Sequence, residues 1–118
     1  MTLYNELRLA NMSRVVKWHA GKSWTVTDWS NAAAGELGEM CNAIKKLRRI
    51  EDELPNINER GRDITTREAA LDKIGREAAD TVVYLDLLMA YLGLSLEEFI
   101  KLVFNQKSEE YGFPERLE

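Results

Sequence analysis

The chain has 118 residues, of which 45% are hydrophobic and 31% charged, with a net charge of −4. That length suits a single domain over 1–118 that can bury a core without staples. The acidic balance argues against a nucleic-acid polymer as partner, and the lone Cys41 excludes an intrachain disulfide or a cysteine zinc knuckle and fits a reducing cytoplasm.

The residue pattern is helical throughout, with no convincing alternating strand. A first helix is predicted over about 2–17, with Leu3, Leu7 and Ala10 on one side. Residues 18–27 read as a connection carrying Trp18, His19, Gly21 and Trp24. His19 reads as a surface or packing residue. Thr27 or Asp28 is the expected N-cap of a second helix over about 29–50. There Trp29, Ala33, Leu37, Met40, Ile44 and Leu47 form an apolar stripe. Cys41 reads as a small core residue with no base beside it to make it a nucleophile. Lys45, Lys46, Arg48 and Arg49 suit the negative end of that helix's dipole.

Residues 51–66, with Pro55, Asn56, Asn58 and Gly61, break the pattern. A loop this long is uncommon in a compact domain and is usually mobile, functional or both. Thr65 and Glu68 have capping-box spacing for a third helix over about 67–92. Its stripe is Leu71, Ile74, Ala78, Val82, Leu85, Met89 and Leu92, and Gly93 is placed to end it. The longest apolar run, Leu87 to Leu92, is too short to span a membrane. Ser95 and Glu98 open a fourth helix to about 108, followed by an irregular tail.

The informative residues are carboxylates beside the core stripes. Glu36 and Glu39 are three apart and share a face, and Glu77 and Asp80 repeat that spacing on the next long helix. Gly35, Gly38 and Gly75, with Ala78 and Ala79, surround the two pairs. Helical glycines cost about 1 kcal/mol each relative to alanine. Their presence points to close backbone approach or to room for a ligand. Antiparallel packing of the two helices would gather all four acids, and a divalent cation relieves their repulsion. An all-oxygen set suits Mg²⁺ or Mn²⁺ better than zinc. A di-iron bundle would need Glu-x-x-His on two helices, and the chain has one histidine.

These residues carry a resemblance. Gly35-Glu36-Leu37-Gly38-Glu39, Glu77-Ala78-Ala79-Asp80 with Tyr84, Leu92-Gly93-Leu94 and the segment Phe104 to Pro114 resemble, in order and spacing, the MazG-like all-α nucleoside triphosphate pyrophosphohydrolases. The resemblance covers about 29–114. It implies a four-helix MazG-like fold completed by homo-oligomerisation, as a homodimer or homotetramer. It also implies Mg²⁺-dependent hydrolysis of a (deoxy)nucleoside triphosphate to the monophosphate and pyrophosphate. Glu36, Glu39, Glu77 and Asp80 would hold the metal, with Glu39 a candidate base and Tyr84 a donor to phosphate or to the metal shell. Asn105 and Lys107 match a phosphate-contacting region. The basic residues that often follow it are replaced here by Glu109, Glu110 and Tyr111, so Lys46, Arg48, Arg49 or Arg116 would have to substitute, each of which also reads as a solvated cation. Trp24 and Trp29 are candidates for the base pocket, since stacking on an aromatic ring holds a base. Two other readings stand beside this one. One is a non-catalytic helical module for nucleotide sensing or protein interaction. The other is a related hydrolase acting on phosphoribosyl-ATP or a modified nucleotide.

Overall fold

A computed structural model describes residues 1–18, 23–58 and 61–118, so His19 lies outside the described residues. Among these are four helices: α1 (Leu3–Trp18), α2 (Val26–Glu51), α3 (Arg67–Tyr91) and α4 (Leu96–Tyr111). A two-rung antiparallel ladder joins β1 (Ile57–Asn58) to β2 (Gly61–Arg62), inside the segment read as an irregular loop. The fold is all-helical apart from that ladder. Among the described residues no helix is long and apolar enough to cross a membrane.

The helix ends depart from expectation where two candidate caps compete. α2 starts at Val26, because Thr25 is extended and its hydroxyl accepts from Asp28 N at 3.3 Å while Asp28 Oδ2 accepts from Thr25 N at 2.8 Å. Asp28 is thus the third helical residue of a reciprocal box, and neither it nor Thr27 is the cap. At α3 the cap is Thr66, whose hydroxyl accepts from Ala69 N at 3.1 Å, one residue beyond the expected Thr65. Ser95 caps α4 as expected. Gly93 and Gly112 both have φ of +72°, the left-handed geometry in which a side chain is strained, and they terminate α3 and α4. α4 therefore runs past 108 to Tyr111.

α2 and α3 form the main hairpin. Trp29 meets Tyr84 at 6.0 Å between ring centroids, and seven residues later Glu36 meets Glu77, seven residues earlier. Ala43 and Ala70, both buried, extend the same antiparallel register by seven more. A heptad seam of this kind brings facing residues together along a helix pair. The seam is rotated from the predicted stripes towards Glu36 and Glu77. Leu37 and Ile44 on α2, and Leu71 and Leu85 on α3, remain exposed. Cys41 is exposed as well, since it lies off the seam, and is not the core residue expected.

α1 crosses the C-terminal half of α3. Arg8 Nε donates to Asp86 Oδ1 at 3.1 Å, and its Nη2 donates to Leu94 O at 2.8 Å. Asn11 Nδ2 donates to Asp86 Oδ2 at 3.0 Å and to Val83 O at 3.2 Å. This buried clasp lies beside a core of Val15, Trp29 and Leu87, packed against Trp24, Tyr84 and Leu88. Among the described residues α4 touches the other helices only at α1 and α3 and leaves Phe99, Leu102, Val103 and Phe104 exposed. The radius of gyration is 17.9 Å, against about 13.5 Å for a compact globule of this length.

Candidate metal centre

The α2–α3 register carries three carboxylates to one place. Glu36, Glu39 and Glu77 each offer an oxygen, and these oxygens all lie within 4.8 Å of one another. Glu77 is buried, Glu36 half-buried and Glu39 exposed, so the cluster runs from the helix seam to the surface. Asp80 stands one turn further along α3, exposed and outside that span.

The electrostatics follow from this crowding. Lys73, one turn before Glu77, lies 2.6 Å from its Oε1. That contact holds the Glu77 carboxyl below its ordinary range and raises the Lys73 ammonium. Glu77 Oε2 is buried, and among the described residues no N–H or hydroxyl donates to it. Glu36 is pushed up to about 7, first by its hydrogen bond with Glu77, then by burial and by the charges of Glu77, Glu39 and Asp80. A proton on Glu36 is the local remedy for like charges at this spacing. A hard divalent cation is the other, and the all-oxygen donor set of Glu36, Glu39 and Glu77 fits one.

Among the described residues the glycines beside the pairs do not serve close packing. A Cβ built on Gly35, Gly38 or Gly75 would meet nothing within 4 Å. They leave open space next to the acids.

The aromatic residues stand one heptad from the acids. Tyr84 is half-buried, with the Trp18 ring 5.9 Å and the Trp29 ring 6.0 Å away. Burial first, then the charges of Glu36 and Asp80, push its hydroxyl up. Tyr84 therefore stays a neutral phenol that can donate a hydrogen bond. Trp29 is fully buried beneath Trp24, at 4.6 Å between centroids, and Tyr91, at 5.9 Å, so it lies in the core. Trp24 is only half-buried and offers the more accessible ring.

Among the described residues α4 does not touch α2, which carries Glu36 and Glu39, and the partners of Asn105 and Lys107 lie elsewhere than the acids. Asn105 clamps the tail: its Nδ2 donates to Leu117 O at 2.9 Å and its Oδ1 accepts from Leu117 N at 2.8 Å. The Lys107 ammonium lies 5.9 Å from the Tyr111 ring centroid. Sequence reasoning missed Lys73, although an (i, i+4) spacing to Glu77 was its available signal. It also missed the Arg8–Asn11–Asp86 clasp, which links residues more than seventy positions apart and leaves no local pattern.

No protein-family model, curated protein or solved structure matches the chain.

Proposed function

We propose that the chain is a Mg²⁺-dependent hydrolase of the MazG-like kind, cleaving a (deoxy)nucleoside triphosphate to the monophosphate and pyrophosphate. The observation that carries this reading is the meeting of Glu36, Glu39 and the buried Glu77 across one helix seam. Asp80, one turn on, completes an acidic face that extends toward Tyr84. Mg²⁺, or Mn²⁺, held by Glu36, Glu39, Glu77 and Asp80 would neutralise phosphate charge and activate a water.

The chain's own residues supply the rest. Glu39 is the most exposed of the three clustered acids, and in this reading it takes a proton from an attacking water instead of serving as a pure ligand. Tyr84, held neutral, donates to a phosphate oxygen. Trp24 offers its ring to the base, on the layer that Trp29 supports from within the core. Lys73 balances Glu77 when no metal is bound.

The working unit in this proposal is a homodimer or homotetramer. The exposed apolar sides of α2, α3 and α4, together with the open shape, are what a second copy would cover. Asn105 and Lys107 would then reach the acids only from a neighbouring copy.

The test is a screen of nucleoside and deoxynucleoside triphosphates for phosphate release in the presence of added inorganic pyrophosphatase. Mg²⁺-dependent release from at least one triphosphate is expected. Glu39→Gln and Asp80→Asn should each abolish it with helical content unchanged, and full activity in both variants would overturn the site. The exposed apolar faces also favour a non-catalytic interaction module. Absence of Mg²⁺ binding by calorimetry, with and without nucleotide, would select that second reading.

A further inference from the structure

The segment between α2 and β1 turns back over the last turns of α2 and walls a cavity of about 470 Å³. Asn42, Lys45, Lys46, Arg49, Asn56 and Asp63 are among its lining residues. Three cations against one acid make this a positive hollow on a chain of net charge −4.

The cavity is built rather than incidental. Asn56 is buried, and its Nδ2 donates to Lys46 O and to Ile64 O, both at 3.1 Å, so it pins the returning segment to α2. Arg49 donates through Nε and Nη2 to Pro55 O at 3.1 and 2.8 Å. Lys46 is ion-paired with Asp63, whose carboxyl is held below its ordinary range by that lysine and by the Ile64 N–H. Lys45 is exposed and has no hydrogen bond or ion pair among the described residues.

A cation near a helix C-terminus ordinarily does no more than complement the dipole. The placement of this group adds something. Glu39, Asn42, Lys46 and Arg49 are spaced three, four and three, so they stack along one strip of α2. At 1.5 Å per residue Lys46 lies about 10 Å beyond Glu39 along the axis. Cα–Cβ bonds in a helix tilt toward its N-terminus, so the basic side chains lean back toward the acids. The hairpin thus presents aromatic rings, then carboxylates, then cations. A nucleoside triphosphate carries its base, its scissile phosphate and its terminal pyrophosphoryl group in the same order.

We infer that the cavity receives the leaving pyrophosphoryl group of the substrate. Lys46 and Arg49 are pre-positioned for it, and Lys45 is the uncommitted cation that closes on it. This rests on the reading of the acid cluster as the hydrolytic centre.

Inorganic pyrophosphate is the probe, titrated by calorimetry in Mg²⁺ buffer into the wild type, Lys45→Gln and Lys45→Glu. Lys45 holds nothing in the fold, so the three should melt alike. Pyrophosphate affinity is expected to fall about tenfold in Lys45→Gln and further in Lys45→Glu, as for loss of a charged hydrogen bond, with nucleoside monophosphate affinity changed by less than about twofold. Pyrophosphate should also compete with a non-hydrolysable triphosphate analogue. Equal pyrophosphate affinity in all three proteins overturns the inference. An equal loss for the monophosphate does so too, since it means a diffuse charge effect. Simultaneous binding of pyrophosphate and the analogue overturns it by making the cavity a separate regulatory site. None of these readouts needs turnover. A chain that cleaves no triphosphate but binds pyrophosphate through Lys45 loses the hydrolase reading and keeps the anion site. A chain that cleaves with Lys45-independent pyrophosphate binding does the reverse.

Discussion

Replacing Glu36 with glutamine should stabilise the metal-free protein at pH 8 and do so much less at pH 5. Glu36 is held from an ordinary 4.5 up to about 7, so ionising it in the fold is costly. At ~1.4 kcal/mol per pH unit that cost is about 3 kcal/mol. Glu36 is partly exposed, and screening by the water that reaches it reduces the figure to about 1–2 kcal/mol. The sign is set by proton binding. Below pH 4.5 both folded and unfolded chains are protonated at this residue. Above it the unfolded chain ionises first, so stability falls as pH rises to about 7 and then levels. Glutamine keeps the shape and a hydrogen-bond donor while removing the charge. In EDTA, thermal melts followed by circular dichroism should therefore show Glu36→Gln melting about 4–10 °C above wild type at pH 8. At pH 5 the two curves should approach each other. A gain of the same size at both pH values, or none at pH 8, would refute the account of a strained acid cluster.

Other consequences are open to direct measurement. Mg²⁺ should raise the wild-type melting temperature more at pH 8 than at pH 5, because a ligand carboxyl near 7 must lose its proton to bind; a pH-independent increment would contradict this. Asp86→Ala leaves Arg8 and Asn11 without their shared acceptor in a buried clasp, so urea denaturation should show a loss of about 3 kcal/mol or more. Sedimentation should give a mass that is a multiple of 13.6 kDa, and Val103→Glu should move it toward the single-chain value. A wild type that already sediments as one chain removes the oligomer from the proposal.

The helices and the acid pairs were legible because both are local. Periodicity placed four helices, and the three-residue spacing placed Glu36 with Glu39, whereas Asp80 stays outside the cluster that Glu77 joins. What escaped was rotational. The predicted stripes followed mostly the larger apolar residues, whereas the α2–α3 seam uses Glu36, Ala43, Ala70 and Glu77 and leaves Leu37, Ile44 and Leu71 outside. Apolar periodicity cannot tell a face buried within a chain from one left open. The cation cavity was hidden for a different reason. Asn56 and Asp63 sit in a segment without periodicity, and they acquire meaning only when that segment is pinned against Lys46.

The seam also explains how residues remote from the acids control them. On one side of the acid layer stand Trp29 and Tyr84, and on the other stand Ala43 and Ala70, each one heptad, or about 10 Å, away. Helix separation follows the size of the side chains in contact, so the alanine layer permits the approach that brings Glu36 and Glu77 together. Ala43→Leu should spread the hairpin there without touching a carboxylate. Overpacking of this sort costs about 1–3 kcal/mol. The useful readout is Mg²⁺ affinity, which should weaken because the three oxygens now within 4.8 Å would be drawn apart. Ala34→Leu, at an exposed position on the same helix, is the control and should change neither stability nor affinity. If Ala43→Leu melts lower yet binds Mg²⁺ as tightly as wild type, the carboxylates are set by their own side-chain freedom and not by the seam.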